Sequence, residues 1–233
     1  ELVASVADSL LGGDDLVDEN ESTHSVSTDR PLAARRRAAV VKALLENGAR
    51  SVVDVGCGEG RLVAELLSHS EFTSIVGTDV SARELARAEK RLHVADMSDR
   101  ARERLALHLS SATYHDVRLA GHDAIVLMEV IEHVDPDRLP ALVRSVFAEA
   151  VARFVIVTTP NAEYNVLYPG LARGGFRHPD HRFEFTRDDF ATWVSDICSE
   201  HSWTATIDAI GDVDPDLGGP TQFALFRRQD ITS

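Results

Sequence analysis

Within five residues the chain sets two carboxylates and an imidazole, in Glu129-Val130-Ile131-Glu132-His133. Oxygen and imidazole donors so close together are what a divalent cation takes up. The cluster follows the apolar run Ala124–Met128 and precedes Asp135-Pro136. That pair signals a helix start, with Asp as N-cap and Pro at the first helical position. The charged link therefore joins a buried strand to a helix, and in an open α/β sheet ligands bind beyond the carboxyl ends of the strands. If the link turns helically, Glu129, Glu132 and His133 share one face. Glu and His beside a helix start also serve as plain dipole or capping groups, so the cluster alone leaves both readings open.

The elements that must position this link read as alternating strands and helices. A helix begins at Asp29-Arg30-Pro31, carries Leu32, Val40, Val41, Leu44 and Leu45 at helical spacing, and stops at Asn47-Gly48. Arg35, Arg36 and Arg37 crowd its first half. The plain reading is a solvated basic face, yet cations oppose the dipole at a helix start, a hint that one arginine meets an anion. Ser51–Val55 is a buried strand, Gly56-Cys57-Gly58-Glu59-Gly60 a glycine turn and Arg61–His69 a helix. Glycines there permit positive φ and close backbone approach to a ligand, although the spacing is G-x-G-x-G and not that of dinucleotide folds. Phe72–Gly77 reads as the next strand, with Asp79 just beyond it, suited to accept both ribose hydroxyls of an adenosine. Asp79 or Ser81 would otherwise cap the helix Ala82–Leu92.

Leu105–Leu109 is a third strand ending in Ser110-Ser111-Ala112-Thr113, small residues that suit an adenine face. Asp123–Met128 is the fourth strand, Pro136–Val151 a helix and Phe154–Thr158 the fifth strand. The long stretch Ala162–Phe185 is rich in Gly, Arg, His and aromatics, and loops of such length in a compact domain are usually functional. Thr186 and Asp189 make a capping box for the helix Arg187–Glu200. Thr204–Ile210 and Gln222–Arg228 close the chain as an antiparallel pair.

The 233 residues are enough for one large α/β domain, and 44% hydrophobic with 27% charged residues is ordinary globular composition. No apolar run approaches a membrane span. A net charge of −14 argues against bulk binding to long nucleic acid but permits recognition of one nucleic-acid end by a local basic site. Cys57 and Cys198 lie in unrelated contexts, so a reducing cytoplasm is the expected location. Residues 1–28 form an acidic segment or linker with a possible short helix over residues 4–11, and 29–233 form the main domain.

The Asp54–Gly60 turn and Asp79 resemble the cofactor motifs of class I S-adenosylmethionine-dependent methyltransferases. The resemblance implies an α/β, Rossmann-like fold with a mostly parallel seven-stranded sheet and helices on both faces. Glu129-x-x-Glu132-His133, with Phe176-Arg177-His178-x-Asp180-His181-x-Phe183-Glu184-Phe185-Thr186-Arg187, resembles the small-RNA 3′-terminal 2′-O-methyltransferases, specifically their bacterial RNA-repair branch. The likeness covers roughly residues 29–228. Phe185 stands where the family has Trp, and Arg36 aligns best with the family's arginine.

The resemblance implies that Glu129, Glu132, His133 and His181 hold one divalent metal, Mn or Mg. It implies Asp79 on the cofactor ribose, with Asp54, Gly56, Gly58, Ser81, Ser111 and Ala112 around S-adenosylmethionine, and Arg36 and Arg177 on RNA or the reacting groups. A mixed O/N set is neither a thiolate zinc site nor an all-oxygen calcium site. Such a cation orients vicinal hydroxyls and lowers their pKa, which would restrict reaction to RNA 3′ ends. The proton acceptor is open between His133 and His178. The branch acts with a polynucleotide kinase-phosphatase/ligase repair partner, as the C-terminal part of a longer protein, which suits a chain opening Glu1-Leu2-Val3. Two competitors remain: a metal-dependent O-methyltransferase of a small catechol-like diol, with no use for Arg36 or Arg177, and a non-catalytic RNA-end binding module, which would not need the intact ligand set.

Overall fold

The computed structural model describes residues 31–229, so the expectations for residues 1–28 and for Asp29 and Arg30 lie outside the described residues. Seven strands form one sheet in the order β3-β2-β1-β4-β5-β7-β6. They are β1 (Ser51–Val55), β2 (Ser74–Asp79), β3 (Leu105–Leu109), β4 (Ala124–Met128), β5 (Phe154–Pro160), β6 (Trp203–Ile210) and β7 (Thr221–Arg228). The first five run parallel; β7 is antiparallel to both β5 and β6. This is the mostly parallel seven-stranded sheet that the resemblance implies, with the expected closing pair.

The helices are α1 (Leu32–Glu46), α2 (Arg61–Leu67), α3 (Ala82–Arg91), α4 (Asp99–Arg102), α5 (Leu139–Val143) and α6 (Arg187–His201). Alternate strand residues point to opposite faces, and both faces are buried, as a parallel sheet requires. Val52, Ile75, Val126 and Ile156 meet Val40 and Leu44 of α1 and Leu62 and Leu66 of α2. Val53, Ile125, Leu127 and Val155 meet Phe147, Phe190 and Val194 on the other face. The strand order reverses between β1 and β4, and the crevice there, at the carboxyl ends, is where such sheets bind ligands.

Several boundaries differ from the sequence reading. The predicted helix over Pro136–Val151 is three pieces: a 3-10 turn Pro136–Arg138, then α5, then a π segment Arg144–Glu149. Pro140, early in α5, has no N–H to continue a ladder. Asp135 makes no side-chain cap and instead pairs with Arg182 at 3.3 Å. Strand β2 starts two residues later than predicted, at Ser74, and Phe72 is buried in the core ahead of it. Helix α6 has the predicted capping box, Thr186 with Asp189.

Candidate active site

The charged link leaves β4 at Met128 and turns at once. Glu129 adopts φ +57°, a left-handed conformation rare for a residue with a side chain. Its N–H donates to the Thr158 carbonyl (3.1 Å) and lies 3.2 Å from Thr158 Oγ1, both at the end of β5. Only Ile131–His133 then turn, as a 3-10 helix. The expectation that Glu129, Glu132 and His133 share one helical face is therefore corrected: the backbone bends at Glu129, and Ile131 is driven into the core.

Two carboxylates result with different surroundings. Glu129 Oε1 accepts the Thr158 hydroxyl at 2.8 Å, and Oε2 is ion-paired with Arg36. Glu132 is fully buried; Oε2 accepts the Thr159 hydroxyl at 3.0 Å, and Oε1 has no hydrogen-bond partner among the described residues. Burial, and then the Glu129 charge, push its pKa well above the glutamate range. An orphaned buried carboxyl oxygen is costly, and a cation beside it relieves that cost.

The imidazoles come from two segments. Ring nitrogens of His133, His178 and His181 lie within 4.8 Å of one another, a cluster that contains neither glutamate. His181 Nδ1 is 2.6 Å from Oε1 of the buried Glu184, which also accepts the Arg177 N–H (2.7 Å) and the Asn165 amide. A carboxylate on one ring nitrogen fixes the tautomer and leaves the other nitrogen for a cation. Burial, then the neighbouring His181 and His178, lower the pKa of His133, which keeps it in the neutral form that a ligand needs. The donor set, the orphaned Glu132 oxygen and the oriented His181 all fit a divalent cation.

Of the predicted basic residues, Arg36 faces the site through Glu129. Its neighbours pair elsewhere, Arg35 with Asp212 (2.9 Å) and Arg37 with Glu65 (3.2 Å), so the three are not a solvated basic face. Arg177 turns into its own loop: Nε donates to Asn165 Oδ1 (2.6 Å), Nη2 to the Asn161 carbonyl (2.7 Å), and the guanidinium stacks 4.9 Å over Tyr168. It braces the loop that carries His178 and His181.

On the β1–β2 side, Gly56 and Gly58 adopt positive φ, and the N–H groups of Gly56 and Cys57 both reach the Thr78 carbonyl. A Cβ on Gly56 would lie 2.6 Å from Val130 Cγ2, so the glycine turn packs directly against the charged link. Asp79 ends β2 and accepts the N–H groups of Gly58 (2.9 Å) and Ser81 (2.8 Å). Ser81, not Asp79, caps α3 through its hydroxyl. Asp54 is buried, its Oδ2 has no partner among the described residues, and burial followed by the Asp79 charge raises its pKa to about 7. Ser111 bonds Thr113 (3.0 Å) beyond β3, and Ala112 packs against the core.

Sequence reasoning missed Thr158, Thr159, Asn165 and Glu184. Glu184 had a signal, its i+3 spacing from His181. The others act across the sheet or the loop and had none.

The general methyltransferase-domain profile matches residues 53–152. The crystal structure of the methyltransferase domain of bacterial CtHen1 is 39% identical, with TM-score 0.78 over 84% of this chain and 99% of that one. The small RNA 2′-O-methyltransferase of Arabidopsis thaliana is 33% identical over 218 residues, 85% of this chain; the chain spans 23% of that relative's length. The structure of the Pnkp1/Rnl/Hen1 RNA repair complex matches 85% of this chain and 42% of its own, at 24% identity and TM-score 0.64, a likeness of fold. Among the described residues no helix is long and apolar enough to cross a membrane.

Proposed function

The chain belongs to the Hen1 family of small-RNA methyltransferases, and we propose that it transfers a methyl group from S-adenosylmethionine to the 2′-hydroxyl of the 3′-terminal ribose of RNA. The observation that carries this reading is the contact of Val130 with Gly56, which sets the glycine turn against the link that carries Glu129, Glu132 and His133, at the switch point of the sheet.

Each residue has a definable task. Asp79 keeps a second lone pair on each oxygen, enough to accept ribose hydroxyls while it holds the turn. The unpartnered Asp54 oxygen favours a cationic ligand, which the sulfonium and ammonium of S-adenosylmethionine supply. Glu129, Glu132, His133 and His181 are the residues that would hold a divalent Mn or Mg ion, whose charge lowers the pKa of the acceptor hydroxyl. Glu184 orients His181, and Arg177 holds the loop that delivers both. Ser111 and Ala112 are the residues that would meet the adenine.

The likeness of the two motifs to the bacterial branch supports an RNA-repair role beside a kinase-phosphatase/ligase partner. Both cysteines are free, which supports a reducing cytoplasmic setting. The test uses labelled S-adenosylmethionine with Mn²⁺ and three acceptors: an RNA ending in a 3′-hydroxyl, the same RNA ending in a 3′-phosphate, and a catechol. Transfer to the first alone is expected. Equal transfer to the phosphorylated RNA would refute end specificity, and transfer to the catechol alone would favour the small-diol reading.

A further inference from the structure

We propose that Arg36 withholds Glu129 from the cation site until the phosphodiester of an RNA 3′ end draws the guanidinium away, so that RNA and the divalent cation bind cooperatively. The inference rests on the RNA-end reading above.

The ligand set is held in separate parts. The imidazoles of His133, His178 and His181 gather within 4.8 Å of one another without Glu129. Glu129 has both oxygens engaged, Oε2 with the Arg36 guanidinium and Oε1 with the Thr158 hydroxyl. The Arg36 and Glu129 side chains are 11% and 20% exposed, so solvent and salt screen the pair only weakly. A cation that recruits Glu129 must compete with this guanidinium, which cannot deprotonate.

Carboxylate and phosphate are alternative partners of similar shape for a guanidinium. An RNA 3′ end brings a phosphodiester beside its terminal diol; a free nucleoside or a catechol brings the diol alone. Arg36 is therefore a positioning residue that couples cation binding to the polymeric nature of the acceptor, and so a determinant of specificity. The surroundings suit an exchange of partners. Arg35 and Arg37 tie α1 to Asp212 and Glu65, which anchors the helix on either side of Arg36. Thr158 holds the Glu129 backbone in its left-handed turn independently of Arg36.

If Arg36 were a simple orienting partner of Glu129, its removal would weaken cation binding. Under competition, removal strengthens it. The coupling is reciprocal: the factor by which RNA tightens the cation equals the factor by which the cation tightens RNA.

The test measures Mn²⁺ affinity from the electron paramagnetic resonance of unbound Mn²⁺, alone, with a short RNA and with adenosine. Wild type is compared with Arg36→Gln and Arg36→Lys, with melting curves and S-adenosylmethionine binding to verify the fold. In wild type, RNA is expected to tighten Mn²⁺ at least about fivefold more than adenosine does, the lower end of ordinary coupling, since the terminal diol is common to both. Arg36→Gln should bind Mn²⁺ at least about fivefold tighter than wild type without RNA, and RNA should tighten it no more than adenosine does. Arg36→Lys keeps the charge and should retain the RNA effect. A folded Arg36→Gln that binds Mn²⁺ no tighter than wild type, or in which RNA still exceeds adenosine by the wild-type factor, would overturn the proposal. Tight Mn²⁺ binding by Arg36→Gln, with a wild type that methylates no RNA, would instead sink the RNA-end reading and leave the competition for Glu129 standing.

Discussion

Replacing Glu184 with Gln removes one charge and leaves nearly the same volume, in a side chain with no solvent exposure. In the wild type, Glu184 accepts from His181 Nδ1 at 2.6 Å, from the Arg177 N–H at 2.7 Å and from the Asn165 amide. An amide has one oxygen, so at least one of these donors faces an NH₂ group. An unsatisfied buried donor costs about 1–3 kcal/mol, and hydrogen bonds to a charged acceptor exceed neutral ones by about 1 kcal/mol. The variant should lose about 2–4 kcal/mol of stability, a fall in Tm of roughly 5–15 °C for a domain of this size. The larger consequence is at His181, whose ring loses its charged partner; changes to such outer partners cost about 10–100-fold in metal affinity. Thermal melting and a Mn²⁺ titration read the two effects separately. A variant with the predicted loss of stability but with wild-type Mn²⁺ affinity would refute the view that Glu184 orients a ligand.

Asp54 gives a pH dependence with a defined sign. Burial, then Asp79, raise its folded pKa to about 7, above the unfolded value of about 3.9. Between these values the unfolded chain releases a proton that the folded, cofactor-free protein keeps, so this contribution to stability falls as pH rises through that range and levels off above about pH 7. A cationic cofactor prefers the ionised carboxylate, so calorimetric S-adenosylmethionine affinity should rise from pH 6 to 8 and flatten in Asp54→Asn; a wild-type affinity that is flat over that range counts against this role. The glycine turn supplies a contrast. A Cβ on Gly56 meets Val130 at 2.6 Å, whereas one on Gly58 meets nothing within 4 Å. Gly58→Ala should cost only the left-handed penalty of about 1–2 kcal/mol, and Gly56→Ala a further overpacking cost of about 1–3 kcal/mol. Urea midpoints in the reverse order would contradict the packing of the turn on the link.

Much of this was legible in residue order because local pattern and tertiary role agree. The β1 strand, its glycine turn and Asp79 announce a ligand crevice, and β4 delivers Glu129 and Glu132 to its mouth. What was hidden depends on groups far along the chain. A left-handed Glu129 has no local signature, since Thr158 imposes it across the sheet. The pairing of Arg36 with Glu129 spans 93 positions. Arg177 reads as an exposed loop cation, and only the fold reveals Asn161, Asn165 and Tyr168 around it. Apolar periodicity through Pro136–Val151 does not register the change from 3-10 to α to π hydrogen bonding along that segment.

The most direct measurement of the central claim is methyl transfer from labelled S-adenosylmethionine, in Mn²⁺, to a short RNA and to the same RNA with a 2′-deoxy 3′-terminal nucleotide, using wild type and His181→Ala. Transfer to the all-ribose RNA alone, abolished in His181→Ala, is the predicted result. Transfer to the 2′-deoxy-terminated RNA, or full activity in His181→Ala, would contradict it.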